Sequence, residues 1–240
     1  MKVRLDVMLA ERGLAESREK AQALVLAGEV LVDGVKARKP GQSVSPEADL
    51  KVLQRPLYVG RGGLKLEAAI DRFNIQVSGR VCLDVGASTG GFTDCLLQRG
   101  AARVHAVDVG AGQLDWKIRT DPRVILHERV NARYLRYEDI GEPVGLAVCD
   151  VSFISMTFIL PALGPLLQPA GEMVILVKPQ FEVGKEQVGK GGIVRDPVLH
   201  RSACERVESA VRQMGYKTDI IESPILGAEG NKEFLLYARH

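Results

Sequence analysis

The sequence predicts an α/β protein, a doubly wound and mostly parallel sheet preceded by a small α+β domain. Three observations carry that prediction. From residue 81 onward, short apolar runs alternate with helical or irregular segments, as strands joined by crossovers do. The first run, Val81-Cys-Leu-Asp-Val85, leads through the glycine-rich turn Gly86-Ala-Ser-Thr-Gly-Gly91 into a helix. A turn of that kind, at a helix N-terminus and the C-terminal edge of a parallel sheet, is a nucleotide-type binding site. Before it, residues 1–55 hold two short helical patterns and a hairpin signal at Asp33-Gly34.

The bulk numbers agree with a soluble-type globular chain. Its 240 residues suit one large and one small domain. A hydrophobic content of 46% with 26% charged residues is ordinary. No apolar run approaches the roughly 18 residues that span a bilayer. Met1-Lys-Val-Arg4 runs into a charged pattern, so no leader peptide is expected. Cys82, Cys95, Cys149 and Cys204 lack pairing or metal spacing and sit in apolar contexts. They read as small core residues of a cytoplasmic protein. Four scattered histidines predict no metal site. Net charge is only +2, but ten of the 32 Lys and Arg fall in residues 1–55, which points to nucleic acid.

Taken in order, Leu5, Met8 and Leu9 predict a helix over 4–12, with Gly13 beyond its end. Ser17 is placed to cap a second helix running to Ala27, with Ala21, Leu24 and Val25 on one face. Val30–Ala37 is the hairpin, 39–43 a loop and 50–53 a last strand. Pro56 and the glycines of 60–63 mark a short interdomain linker over 56–63, dividing residues 1–55 from 64–240. Leu66, Ala69, Ile70 and Phe73 then give a helix over 64–73, with Lys65 off the apolar stripe. Further strands are expected at 81–85, 104–107, 124–127, 146–149 and 173–177. Asp196-Pro197 starts a long helix that ends at Met214-Gly215. Residues 217–222 and 233–238 form two last strands. Parallel strands followed by a hairpin are the layout of methyltransferases using S-adenosylmethionine (SAM), rather than of dehydrogenases.

The glycine turn has three candidate ligands. A phosphate loop requires Gly-Lys-Ser/Thr, and no Lys follows these glycines. A dinucleotide turn requires Gly-x-Gly-x-x-Gly, whereas the spacing here is Gly-x-x-x-Gly-Gly. SAM has no pyrophosphate to cradle. Asp84 can face its ammonium, directly or through water, and backbone from Gly86 through Ala87, Ser88 and Thr89 to Gly90 can line its amino acid tail and sugar. Asp108, at the end of the second strand, suits a ribose diol. Asn131, after the third strand, is a candidate for the adenine or a plain turn residue. Asp150 is the remaining candidate at the cofactor.

Two strand ends carry charge where the ligand crevice belongs, Cys149-Asp150 and Val177-Lys178. The motifs Gly60-Arg-Gly-Gly-Leu-Lys-Leu-Glu67, Asp84–Thr93, Cys149-Asp-Val-Ser-Phe153, Val177-Lys-Pro-Gln-Phe-Glu182 with Gly184-Lys185, Gly189–Asp196 and Gly230-Asn-Lys-Glu-Phe234 together resemble the TlyA family. These are ribosomal-RNA ribose 2′-O-methyltransferases of the FtsJ-like class, often named hemolysins. The resemblance covers essentially the whole chain. It implies a Rossmann-like SAM-dependent methyltransferase sheet, with the catalytic Lys-Asp-Lys-Glu set at Lys65, Asp150, Lys178 and Glu233.

Arg4-Leu-Asp with Leu9, Ser17-Arg18 with Ala21, and Gly28–Gly34 resemble the small RNA-binding domain shared by a ribosomal protein, pseudouridine synthases and tyrosyl-tRNA synthetases. That implies RNA phosphate contacts through Arg18, Lys20, Lys36, Arg38 and Arg4, giving salt-dependent affinity.

The resemblance implies a cytidine ribose in rRNA, within a ribosomal subunit, as the acceptor. Family members with a shorter N-terminus act on the large subunit alone. Only three residues precede Arg4, so large-subunit rRNA is the expectation, with no membrane and no protein partner implied. A base methyltransferase is the nearest rival, but Asp150-Val-Ser-Phe153 lacks the paired prolines of amino-methylating enzymes. A non-catalytic ribosome-assembly factor is a rival of another class. A pore-forming hemolysin lacks any spanning segment or membrane helix in the sequence.

Overall fold

The computed structural model describes residues 2–53, 57–227 and 229–240. It divides the chain into two compact units, Met1–Pro56 and Leu57–His240.

In the first unit, β1 (Val3–Arg4) runs directly into α1 (Leu5–Glu11), followed by α2 (Arg18–Leu26). Ser17 caps α2, its hydroxyl accepting the Lys20 N–H at 3.2 Å. β2 (Val30–Val32) and β3 (Val35–Lys36) form the expected hairpin, with Asp33 and Gly34 both at positive φ. β4 (Ser43–Val44) pairs with β1, and β5 (Leu50–Val52) pairs with β2. Arg4 thus lies in a strand rather than opening α1, and Ser43 lies in a strand rather than a loop. Each element is two residues long, too short for a side-chain period to register. Leu5, Leu9, Ala21, Val25 and Val30 bury together as the core of this unit.

Residues 57–61, expected within the linker, pack into the second unit. Tyr58 is buried and its hydroxyl donates to Glu67, while the Val59 N–H donates to Asp94. Pro56, where that linker was expected to begin, lies outside the described residues, as do Gln54 and Arg55 at the end of the expected first domain. α3 (Gly62–Phe73) starts two residues before the expected Leu64.

β6 (Val81–Val85), α4 (Gly91–Gln98), β7 (Arg103–Asp108), α5 (Trp116–Arg119), β8 (Val124–Glu128), α6 (Tyr137–Ile140) and β9 (Val144–Cys149) follow. After them come α7 (Leu160–Leu163), β10 (Leu167–Val177), α8 (Pro179–Glu182), α9 (Pro197–Gln213), β11 (Lys217–Glu222) and β12 (Phe234–Arg239). The sheet order is β11-β12-β10-β9-β6-β7-β8. β6 to β10 are parallel, and the closing hairpin adds β12 antiparallel to β10. This is a Rossmann-like mixed sheet.

Alternation along the strands sends side chains to opposite layers. Cys82, Val104 and Val148 pack with Leu66, Ile70 and Leu96 of α3 and α4. Leu83, Val107 and Ile175 pack with Leu160, Val207 and Val211 of α7 and α9. Burying a leucine or isoleucine fully stabilises by about 1.5–3 kcal/mol, so these two layers dominate the fold. Among the described residues no helix is long and apolar enough to cross a membrane. All four cysteines are free and buried. Burial pushes the thiols of Cys82, Cys95 and Cys204 up to about 12, which excludes them as thiolate nucleophiles.

Candidate active site

β6 lies between β7 and β9, so the strand order reverses at its carboxyl end, where ligands bind in open α/β sheets. The chain there is tightly packed. Gly86 has φ +86°, and a Cβ on it would sit 2.3 Å from the Asp150 carbonyl oxygen. Only glycine tolerates both that conformation and that approach.

Two cavities of about 450 Å³ open at this point and share Gly86, Ser88, Asp150, Ser152 and Phe153. The first is lined by Lys65, Asp150, Lys178 and Glu233, with Ala87, Thr89 and Phe92 on the turn side. The fold therefore brings together four residues far apart in sequence. They form two ion pairs. Lys178 Nζ stands 2.6 Å from Asp150 Oδ1 and donates to Ser152 Oγ at 2.8 Å. Lys65 Nζ donates to Glu233 Oε2 at 2.5 Å, with both side chains buried. A buried ion pair is weak evidence of stabilisation, because desolvating both charges offsets their attraction. Its presence in a cavity wall points to chemistry instead. Lys65 reaches the cavity from the first turns of α3, and Glu233 immediately precedes β12.

The second cavity is lined by Asp108, Asn131, Val107, Val130 and Ile154. Both Asp108 oxygens accept backbone N–H groups at 2.7 Å, from Ser88 and Gly110, which draws the glycine turn onto β7. Asn131 accepts the Arg133 N–H at 3.0 Å, so it is a turn residue that also lines the cavity.

Two sequence candidates line neither cavity. A Cβ on Gly90 would face Leu114 and Ile118, inside the α4–α5 packing. Asp84 is fully buried, because alternation along β6 turns it towards α4. Its Oδ2 accepts the Thr93 hydroxyl at 2.6 Å, and its Oδ1 is buried with no partner among the described residues. Burial, opposed by the Thr93 hydrogen bonds, pushes its carboxyl up to about 7.

Sequence reasoning missed Ser152 as a partner of Lys178 and Phe153 as a wall of both cavities, although both lie in a motif it singled out. Phe153 is 91% exposed at φ +66°, an unusual conformation for an aromatic residue. It stands 5.3 Å from the Phe181 ring. No spacing rule announces a positive φ at phenylalanine.

In the first unit, Lys20, Lys36 and Arg38 are exposed. Arg4 and Arg18 both bind the buried Asp6, Arg4 through two hydrogen bonds and Arg18 through one at 3.0 Å. The Arg4 guanidinium, with Gln22 and Arg18, holds the Asp6 carboxyl well below the usual carboxylate range. Asp6 stands in the Arg4-Leu-Asp motif singled out in the sequence, but its burial and its hold on the two arginines were not read from it.

Comparison with known proteins agrees with this architecture. A family model described as FtsJ-like methyltransferase matches residues 58–240, and an S4 domain model matches residues 3–50. The 16S/23S rRNA (cytidine-2′-O)-methyltransferase TlyA of Mycobacterium tuberculosis is 48% identical over 99% of this chain and 90% of its own length. A solved structure of a hemolysin-named protein from Streptococcus thermophilus superposes with a TM-score of 0.75 at 45% identity, covering 99% of this chain and 88% of that one. A solved structure from Listeria monocytogenes, named for an S-adenosylmethionine dependent methyltransferase, shares the fold at 14% identity, with a TM-score of 0.55 over 75% of this chain and 99% of its own. The chain therefore belongs to the FtsJ-like methyltransferases, in the TlyA family, where an S4 domain precedes the methyltransferase domain.

Proposed function

We propose that this chain is a SAM-dependent ribose 2′-O-methyltransferase acting on a cytidine of ribosomal RNA. The observation that carries the reading is the convergence of Lys65, Asp150, Lys178 and Glu233 on one cavity, beside a second cavity suited to a nucleoside. The residues fit SAM. Residues 86–89 border the first cavity, Asp108 and Asn131 line the second, and behind the turn Asp84 Oδ1 is a buried acceptor with no partner among the described residues. Asp84 acts on the donor's ammonium as a buried charge behind the turn, and backbone of residues 86–89 borders the amino acid end.

Bound SAM supplies an electrophilic methyl group on sulfur. The chain's task is to bring a ribose hydroxyl, a weak nucleophile, into line with it. Lys178, held between Asp150 and Ser152, directs hydrogen bonds at the hydroxyl oxygen and steadies the charge that develops there. The hydroxyl proton passes to the Asp150 carboxylate, 2.6 Å from Lys178 Nζ, as the oxygen bonds to the methyl carbon. Glu233 holds Lys65 as a second cation in the wall. Positioning supplies much of the rate. Arg4, Arg18, Lys20, Lys36 and Arg38 give the S4 unit its phosphate contacts, and the work takes place in the cytoplasm, on a ribosomal subunit.

The test is to incubate the wild type and Lys178→Ala with labelled SAM and separated, unmodified ribosomal subunits. Label is expected at one cytidine that resists alkaline hydrolysis, with the variant slowed by about a hundred-fold or more. No label with the wild type, or undiminished label with the variant, overturns the reading. A base methyl, which leaves alkaline cleavage intact, identifies the rival. The same incubation also decides the subunit. The large-subunit expectation predicts label in 50S alone, whereas the M. tuberculosis relative carries both 16S and 23S in its name.

A further inference from the structure

Glu182 closes the Lys-Pro-Gln-Phe-Glu motif, yet it lines neither cavity. It is 3% exposed at the end of α8. Its Oε2 accepts the Ser155 hydroxyl at 2.5 Å and its Oε1 accepts the Met156 N–H at 2.8 Å. Both donors belong to the loop after β9, the one that carries Asp150, Ser152 and Phe153. The Glu182 carbonyl is itself held by the Arg206 guanidinium of α9 at 3.0 Å.

The loops after β9 and β10 are therefore joined twice. At the cavity, Lys178 binds Asp150 and Ser152. At the base, Glu182 binds Ser155 and Met156. Between the two joints lies Phe153 at positive φ, a conformation that persists only where its surroundings over-determine it. A carboxylate is costly to bury, and burial does push the Glu182 carboxyl upward. A buried acid that touches no ligand cavity and spends both oxygens on one neighbouring loop has its use in holding that loop.

Resting on the methyl-transfer reading above, we propose that Glu182 is a positioning residue, which locks the Asp150–Phe153 turn against the Lys178 loop and so sets the geometry of the acceptor side. It acts through Asp150, Ser152 and Phe153 and touches no reacting atom. The same loop lines the second cavity through Asp150, Ser152 and Phe153, but the Ser88–Asp108 contact that draws the glycine turn onto β7 does not involve Glu182, so SAM affinity is expected to fall less than the rate.

The experiment compares full-length wild type, Glu182→Ala, Glu182→Gln and Ser155→Ala. It measures the single-turnover methylation rate on saturating unmodified subunits, SAM affinity by calorimetry, and thermal unfolding. Glu182→Ala is expected to lower the rate about ten- to a hundred-fold, with SAM affinity within roughly two-fold of wild type. Glu182→Gln is expected to recover most of the rate, since its amide oxygen still accepts the Met156 N–H and the Ser155 hydroxyl can turn to accept from the amide. A folded alanine variant at the wild-type rate overturns the proposal, as does a glutamine variant no faster than alanine. Should the alanine variant fail to fold, Ser155→Ala removes one joint, together with the acceptor that the same hydroxyl offers the Thr157 N–H at 3.2 Å. A several-fold slower rate there supports the lock, and a wild-type rate overturns it. A blank reaction with the wild type overturns the methyl-transfer reading and this proposal with it, whereas a working wild type with indifferent variants overturns this proposal alone.

Discussion

Asp84 shows how far a single residue can be read. Its type and position, an acid at the end of an otherwise apolar strand, mark a binding site in the sequence. Its partners are legible only in three dimensions, because the pleat sends it towards Thr93 on α4. The folded carboxyl, near 7, stands above its unfolded value of 3.8, so its contribution to stability is present at low pH and is lost as pH rises through about 7. A bound ammonium favours the ionised form, which gives the opposite slope for binding. SAM affinity is therefore expected to rise as pH climbs from about 6 to about 7.5. Asp84→Asn should weaken SAM binding and flatten that rise while leaving RNA affinity intact. Calorimetric titration across this range checks it, and a flat wild-type profile would refute the assignment. Lys65 and Glu233 make a similar lesson. Each was identifiable from its motif, but neither motif says that the two are buried against each other across 168 residues of chain.

At the scale of elements, the turn from β6 into α4 is the most demanding local structure in the second unit. Its conformation is set jointly by the glycines and by neighbours from β7 and β9. Asp108 receives the Ser88 N–H, and the Asp150 carbonyl fills the space where a side chain on residue 86 would go. Gly86→Ala is expected to displace the turn and lower SAM affinity by roughly ten-fold or more, at a stability cost of about 1–3 kcal/mol. Calorimetry and thermal unfolding measure the two effects separately. Wild-type affinity in the alanine variant would show that the close approach is not required. The long elements here, α3, α9 and the parallel strands, were readable from period and capping signals such as Asp196-Pro197, whose carboxylate does accept the Val198 N–H. The two-residue strands β1 and β4 were not, because they exist only through their pairing with each other.

Across the whole molecule, the division of labour follows the two compact units. The proposed catalytic set, Lys65, Asp150, Lys178 and Glu233, lies in the second, whereas Lys20, Lys36 and Arg38 present exposed charge on the first. Replacing these three with alanine is expected to weaken RNA binding and lessen its salt dependence, by about 0.7–0.9 in log-log slope for each phosphate that is no longer neutralised. SAM affinity should not change. Binding measured over a range of salt tests this, and an unaltered slope would move the RNA interface elsewhere. Arg4 and Arg18 are a different case. Both serve Asp6, so replacing them disturbs the fold of the small unit as well as its charge. By itself the sequence determined the alternation of strands and helices, the glycine turn, the basic N-terminal module and the four charged motif residues, since each is written in local pattern or residue type. Only the tertiary structure decided that Lys65 pairs with Glu233, that Asp84 and Gly90 stay out of the cavities, and that Glu182 binds the loop that carries Phe153. Burial and pairing are properties of distance in space, and distance between remote residues is created by the sheet order rather than by any segment of the chain.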